Sequence, residues 1–231
     1  MPDDRFNPAP KPPRAPSMSI ALRTLVRTLR HGYDNLGTLA MISLLWFVGA
    51  LLIVPLGSVT AALHRVTQPM TEERAANWRT FFLHLRADFR WSSLLVVVLM
   101  AGFILLQVNL SFYTAATITT LRILGILFLT LLIIWSGVTL FAFPMALRQH
   151  DQNLRTTLRN ALLMVFANAP GVLISLVLLV IVTIILVVLP PLFVVLPGMI
   201  ALWGEENTRM LLVASGYIAK DEFADREHVK G

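Results

Sequence analysis

The sequence predicts an all-α fold: a polytopic α-helical membrane protein of about five transmembrane or re-entrant helices, with amphipathic interfacial helices beside them. Three observations predict it. The apolar residues fall in long unbroken blocks instead of alternating, which excludes a β-barrel. Only 14% of the 231 residues are charged and 56% are hydrophobic, where a soluble domain carries about 25% charge. The basic residues that give the net charge of +6 flank the apolar blocks, where they meet anionic head groups and fix orientation.

Residues 1–18 are rich in proline and polar side chains and are expected to be a disordered tail. Residues 19–218 form the single helical membrane domain, and 219–231 a polar C-terminal tail. Within 19–32, Leu22, Leu25, Val26 and Leu29 recur at helical spacing opposite Arg23, Arg27 and Arg30. That pattern predicts an amphipathic helix, lying on the membrane surface or packed on the protein's own surface. A spanning helix needs about 20 apolar residues. Residues 36–54, 91–110, 123–143 and 172–189 each supply one. Pro190-Pro191 ends the fourth, because proline lacks the N–H and clashes with the preceding turn. Residues 192–217 are a broken fifth segment, interrupted at Pro197-Gly198, that either crosses the bilayer or lies on it.

Arg65, Arg74, Arg79, Arg86 and Arg90, then Arg148, Arg155 and Arg159, place the 65–90 and 144–159 connections on the cytoplasmic side. A single crossing at 36–54 would export an N-terminal tail holding Arg5, Lys11, Arg14, Arg23, Arg27 and Arg30. The stretch IVPLGSVTAALHR bears on that conflict. Pro55 and Gly57 break the apolar run, and small residues follow, Thr60, Ala61 and Ala62 among them. Either the first helix ends at Pro55, or the chain turns back there with small residues allowing close helix approach.

Pro55, Gly57, Thr60, Ala61, Ala62 and Leu63, followed by Phe81, Phe82, Phe89 and Arg90, resemble the YesL-like family of bacterial membrane proteins, the domain of unknown function 624. The motifs are strong across about residues 44–95, and the later helices are similar in hydropathy. The family has no established activity. The resemblance implies a multi-pass protein of the bacterial cytoplasmic (inner) membrane and an accessory role beside carbohydrate ABC transporters.

In residues 78–90, Trp78, Phe81, Phe82, Leu85 and Phe89 share one helical face, with Arg79, Arg86, Asp88 and Arg90 elsewhere. Such a face docks on a partner or sits among lipid head groups. The five histidines are isolated from one another, without zinc-ligand spacing. Glu72-Glu73 and Glu205-Glu206 read as solvated loop pairs. None of the four apolar segments carries an ionisable residue in its middle, which disfavours an ion-coupled carrier. Gln107, Asn109 and Asn168 are the candidate polar groups within the membrane. Ser136 and Ser175 have no histidine or aspartate at their depth in the sequence, no phosphate-cradling glycine loop is present, and cysteine is absent. No enzyme activity, cofactor or metal is therefore expected, and no nucleic-acid partner. The expected partners are the lipid bilayer, a transporter's permease subunits, or further copies of this chain as a small homo-oligomeric transporter or channel.

Overall fold

The computed structural model describes residues 17–52, 55–149 and 152–214, and among these there is helix and no strand. The chain runs α1 (Ser17–Asp34), α2 (Leu36–Leu51), α3 (Leu56–Thr71), α4 (Thr80–Ala87), α5 (Phe89–Thr114) and α6 (Thr119–Arg148). It continues through α7 (Leu154–Ala167), α8 (Ala169–Val188), the single turn α9 (Pro190–Phe193) and α10 (Leu196–Ala214). Most of the N-terminal tail and all of the C-terminal tail lie outside the described residues.

Among the described residues, three helices are long and apolar enough to cross a membrane: α5, α6 from Thr120, and α8. Their apolar side chains point outward. Ile126 of α6 and Val188 of α8 are 66% and 70% exposed, the arrangement that a hydrocarbon solvent favours. The predicted span at 36–54 is shorter than expected. The 16 residues of α2 reach about 24 Å at 1.5 Å per residue, below a hydrocarbon core of about 30 Å. Joined to α1 it has the required length and apolarity, but the pair is bent by 90°.

Of the two readings of the Pro55 break, the structure shows the reversal. The Trp46 indole N–H donates to Thr60 Oγ1 at 3.0 Å, and Gly49 lies against the Val59 side chain. Leu39 and Ile42 of α2 share an apolar cluster with Val59, Ala62 and Leu63 of α3. α3 therefore folds back along α2. Ala61 and Ala62 are fully buried. A Cβ on Gly57 would fall 2.4 Å from Ser93 Cα and 2.5 Å from the Ser92 carbonyl, so only glycine lets α3 cross α5 at this distance.

α1 uses both faces. Ala21, Thr24, Thr28 and His31 are buried at helical spacing, while α1 packs on α8 and α10. Leu22, Val26 and Leu29 stay on the outer surface, Val26 at 65% exposure. The two alternatives for this helix coexist: a small polar face binds the protein, and the apolar face remains for the bilayer.

α10 replaces the broken fifth segment. Pro197 sits in its first turn, where a missing N–H costs nothing, so the proline starts the helix instead of interrupting it. Trp203 to Thr208 are all buried, because α1, α2, α3, α6 and α8 all pack against this helix.

Candidate functional site

The most unusual chemistry lies where α10 meets α3 and α6. Pro144 has no N–H to give the Leu140 carbonyl. Gly204 of α10 comes so close to that oxygen that a Cβ there would be 3.0 Å from it. This approach sets Glu205 beside the last turn of α6. Glu205 Oε2 accepts from Arg148 at 2.5 Å, and Oε1 lies 3.0 Å from His64 Nδ1 of α3. Arg148 also donates to the Pro144 carbonyl at 3.0 Å. Glu205 is fully buried, and the side chains of Arg148 and His64 are 16% and 10% exposed.

Burial alone would push the Glu205 carboxyl up, but the Arg148 guanidinium and the His64 hydrogen bond hold it below the usual carboxylate range. An ionised carboxylate only accepts hydrogen bonds, so His64 Nδ1 carries the proton of their bond. The loop assignment of Glu205-Glu206 is thus overturned, and His64 has a partner that the sequence did not show. Each is a buried side chain that three separate stretches of sequence bring together.

Glu206 is equally buried and differently served. Arg27 of α1 and Arg209 of α10 approach its carboxylate only to 3.8 Å. Neither of its oxygens makes a hydrogen bond, and Thr28 Oγ1 of α1 also has no partner. Burial raises the Glu206 carboxyl against the opposing pull of Arg209 and Arg27. A third centre ties α3 to the start of α5. Asp88 Oδ2 accepts from Arg65 Nε at 3.1 Å, and Asp88 Oδ1 accepts from Trp91 Nε1 at 2.9 Å. Asp88, placed by sequence off the aromatic face, is 4% exposed.

Two cavities flank the charged chain. The first, of about 450 Å³, lies among α2, α3, α5, α6, α8 and α10 and is mostly apolar. His64, Thr60, Ser136 and Thr139 supply its polar groups, and Trp46, Phe103 and Phe143 its aromatic ones. His64 stacks on Phe143 with ring centroids 5.4 Å apart. The second, of about 630 Å³, is lined by Arg148, Gln149, Gln68, Asn160 and Asn168 with leucine and methionine side chains. Arg148 faces one cavity and His64 the other, with Glu205 bonded to both.

The other sequence-predicted residues separate. Asn168 lines the second cavity, whereas Gln107 is exposed near the far end of α5 and Asn109 donates to its own helix at Leu105. These three amides share no site. The aromatic face at 78–90 divides. Phe81 is buried in the core and Leu85 packs against it, while Phe82, Phe89 and Trp78 remain outside at 50%, 40% and 37% exposure. Leu83, not on the predicted face, is exposed as well. Arg79 lies 5.7 Å over the Trp78 ring. Ser175 accepts from Trp203 and Asn207, and Ser136 donates to Leu132 while lining the cavity that His64 enters. Sequence reasoning missed Arg148 and Glu205. The available signal was the apolar stretch after Pro197-Gly198 that runs directly into Glu205-Glu206.

No curated protein matches this chain, and no solved structure does. The matched family model spans α2 from Leu39, all of α3 and α4, and α5 to Leu110, so it includes His64 and Asp88 but not Arg148 or Glu205. Residues 39–110 match the model of the family described as "Protein of unknown function, DUF624", the one that the Pro55–Leu63 and Phe81–Arg90 stretches resemble.

Proposed function

We propose that this protein is a non-enzymatic accessory or regulatory subunit of a membrane transporter, a carbohydrate ABC system of the bacterial inner membrane being the partner that the family resemblance points to. The observation that supports the reading is the exposed strip Trp78, Phe82, Leu83 and Phe89. Phe82 and Leu83 stand on the short helix α4, anchored from beneath by Phe81, with Trp78 just before it and Phe89 opening α5. Rigidly held aromatic side chains are the usual anchors of helix-mediated recognition. Tagged purification from native membranes in mild detergent, with mass spectrometry of the co-purifying chains, tests it. Permease subunits in stoichiometric amount are expected, and Phe82→Asp with Phe89→Asp should abolish their recovery. Unchanged recovery by the double variant removes the docking face.

A second reading has its own support. Ionisable groups held inside a helical bundle mark ion and substrate pathways, and Arg148, Glu205 and His64 lie there between two cavities. Solute flux in liposomes holding only this chain separates the two readings. Flux no faster than in empty vesicles counts against the transporter.

A further inference from the structure

The first cavity combines three properties. It lies among the three helices able to cross a membrane. Its lining is overwhelmingly apolar, with Leu99, Leu140, Leu176 and Val180 among it. Its polar groups come from Thr60, His64, Ser136 and Thr139 on α3 and α6. All three hydroxyls already donate to carbonyls of their own helices, Thr60 to Leu56, Ser136 to Leu132 and Thr139 to Trp135. Each therefore has only acceptor capacity left for a ligand.

His64 is fixed in the same sense. Its Nδ1 proton is given to Glu205, which Arg148 holds from the other side. A neutral ring bonded in this way carries its lone pair on Nε2. With the His64 ring neutral, the polar part of the cavity accepts hydrogen bonds and offers no side-chain donor left unused by the protein: the one lining indole N–H, that of Trp46, is engaged by Thr60. A carboxylate, phosphate or ketone head would find no donor there. A hydroxyl would.

We propose that this cavity binds a single-chain amphiphile with a hydroxyl head, a long-chain alcohol or monoacylglycerol, its chain lying among α5, α6 and α8 and its hydroxyl donating to His64. The Arg148–Glu205–His64 chain then acts as the positioning system of the site, fixing the ring tautomer that reads the head group.

Trp46 lines the cavity and reports on it. The full chain in nanodiscs is titrated with 9,10-dibromooctadecan-1-ol and with 9,10-dibromooctadecane, since bromine quenches indole fluorescence on contact. Subtracting the same titration of Trp46→Phe isolates the Trp46 signal. The expected result is saturable quenching by the alcohol at about tenfold lower concentration than by the hydrocarbon, the scale of one net hydrogen bond. His64→Phe keeps a ring against Phe143 and should erase that preference. Val180→Phe, on the outer helix and away from the charges, should weaken both probes by filling the space. Equal and unsaturable quenching by the two probes would mean contact with bulk lipid only and would overturn the proposal, whether or not His64→Phe folds. Tighter quenching by 9,10-dibromostearate than by the alcohol would overturn it as well, because an anionic head needs donors.

Discussion

The outer helices and the central helix of this protein follow opposite rules. On α8, Val177, Val180, Ile184 and Val188 face outward. On α10, Glu205, Glu206, Asn207 and Thr208 are buried. In water the first set would be the core and the second the surface. The inversion shows what the solvent is: with hydrocarbon outside, apolar side chains gain nothing by burial, and polar ones gain partners only inside. The two carboxylates repeat the contrast at small scale. Glu205 has a hydrogen bond on each oxygen, whereas Glu206 has two arginines at 3.8 Å and no hydrogen bond. Neighbours in sequence and alike in burial, they differ in the donors that other helices bring.

Substitutions ranked by expected effect sharpen that contrast. Glu205→Ala leaves Arg148 as a charge without its partner at the base of α6, and should cost about 3–5 kcal/mol, read as a lower unfolding temperature in detergent. Gly57→Ala puts a methyl group into the Ser92–Ser93 backbone and should cost about 1–3 kcal/mol by forcing α3 from α5. Ile184→Val, on the lipid side of α8, should change stability by less than about 0.5 kcal/mol. A large loss there would break the assignment of inside and outside.

The pH dependences of the neighbouring carboxylates should have opposite signs. The Glu205 carboxyl is held low in the folded protein. Its stabilisation is complete above the unfolded carboxyl value and is lost as pH falls through the folded one. The Glu206 carboxyl is raised. Its contribution is complete below the unfolded value and is lost as pH rises through the folded one. Glu206→Gln should therefore flatten the decline of stability on the alkaline side of the carboxylate range, and Glu205→Gln the decline on its acid side. Unfolding temperatures across the carboxylate range measure both.

Much of the fold was legible because long apolar runs in lipid have few alternatives to helix. α5, α6 and α8 overlap the segments predicted at 91–110, 123–143 and 172–189. The small residues after Pro55 raised the possibility of a close reversal, which Gly57, Ala61 and Ala62 make physically possible. The charged site was not legible. Glu205-Glu206 followed an apolar run and resembled its solvated end, and His64 had no local partner. Their meeting depends on contacts 141 and 57 residues apart in the chain, which periodicity does not carry. The aromatic face at 78–90 was half legible. Its helical spacing was visible, but Phe81 turns inward and Phe82 outward because α4 is one short helix with α3 packed against one side.

The most direct test of the buried charged chain is a double-mutant cycle of Arg148→Gln and Glu205→Gln, followed by thermal unfolding of the purified protein. A direct buried pair predicts that the double variant loses less stability than the sum of the single losses, with a coupling within the 0.5–3 kcal/mol range of contacting residues, roughly its upper half. Losses that add to within about 0.3 kcal/mol would mean that Arg148 and Glu205 do not meet, and would contradict the account of how α3, α6 and α10 are held together.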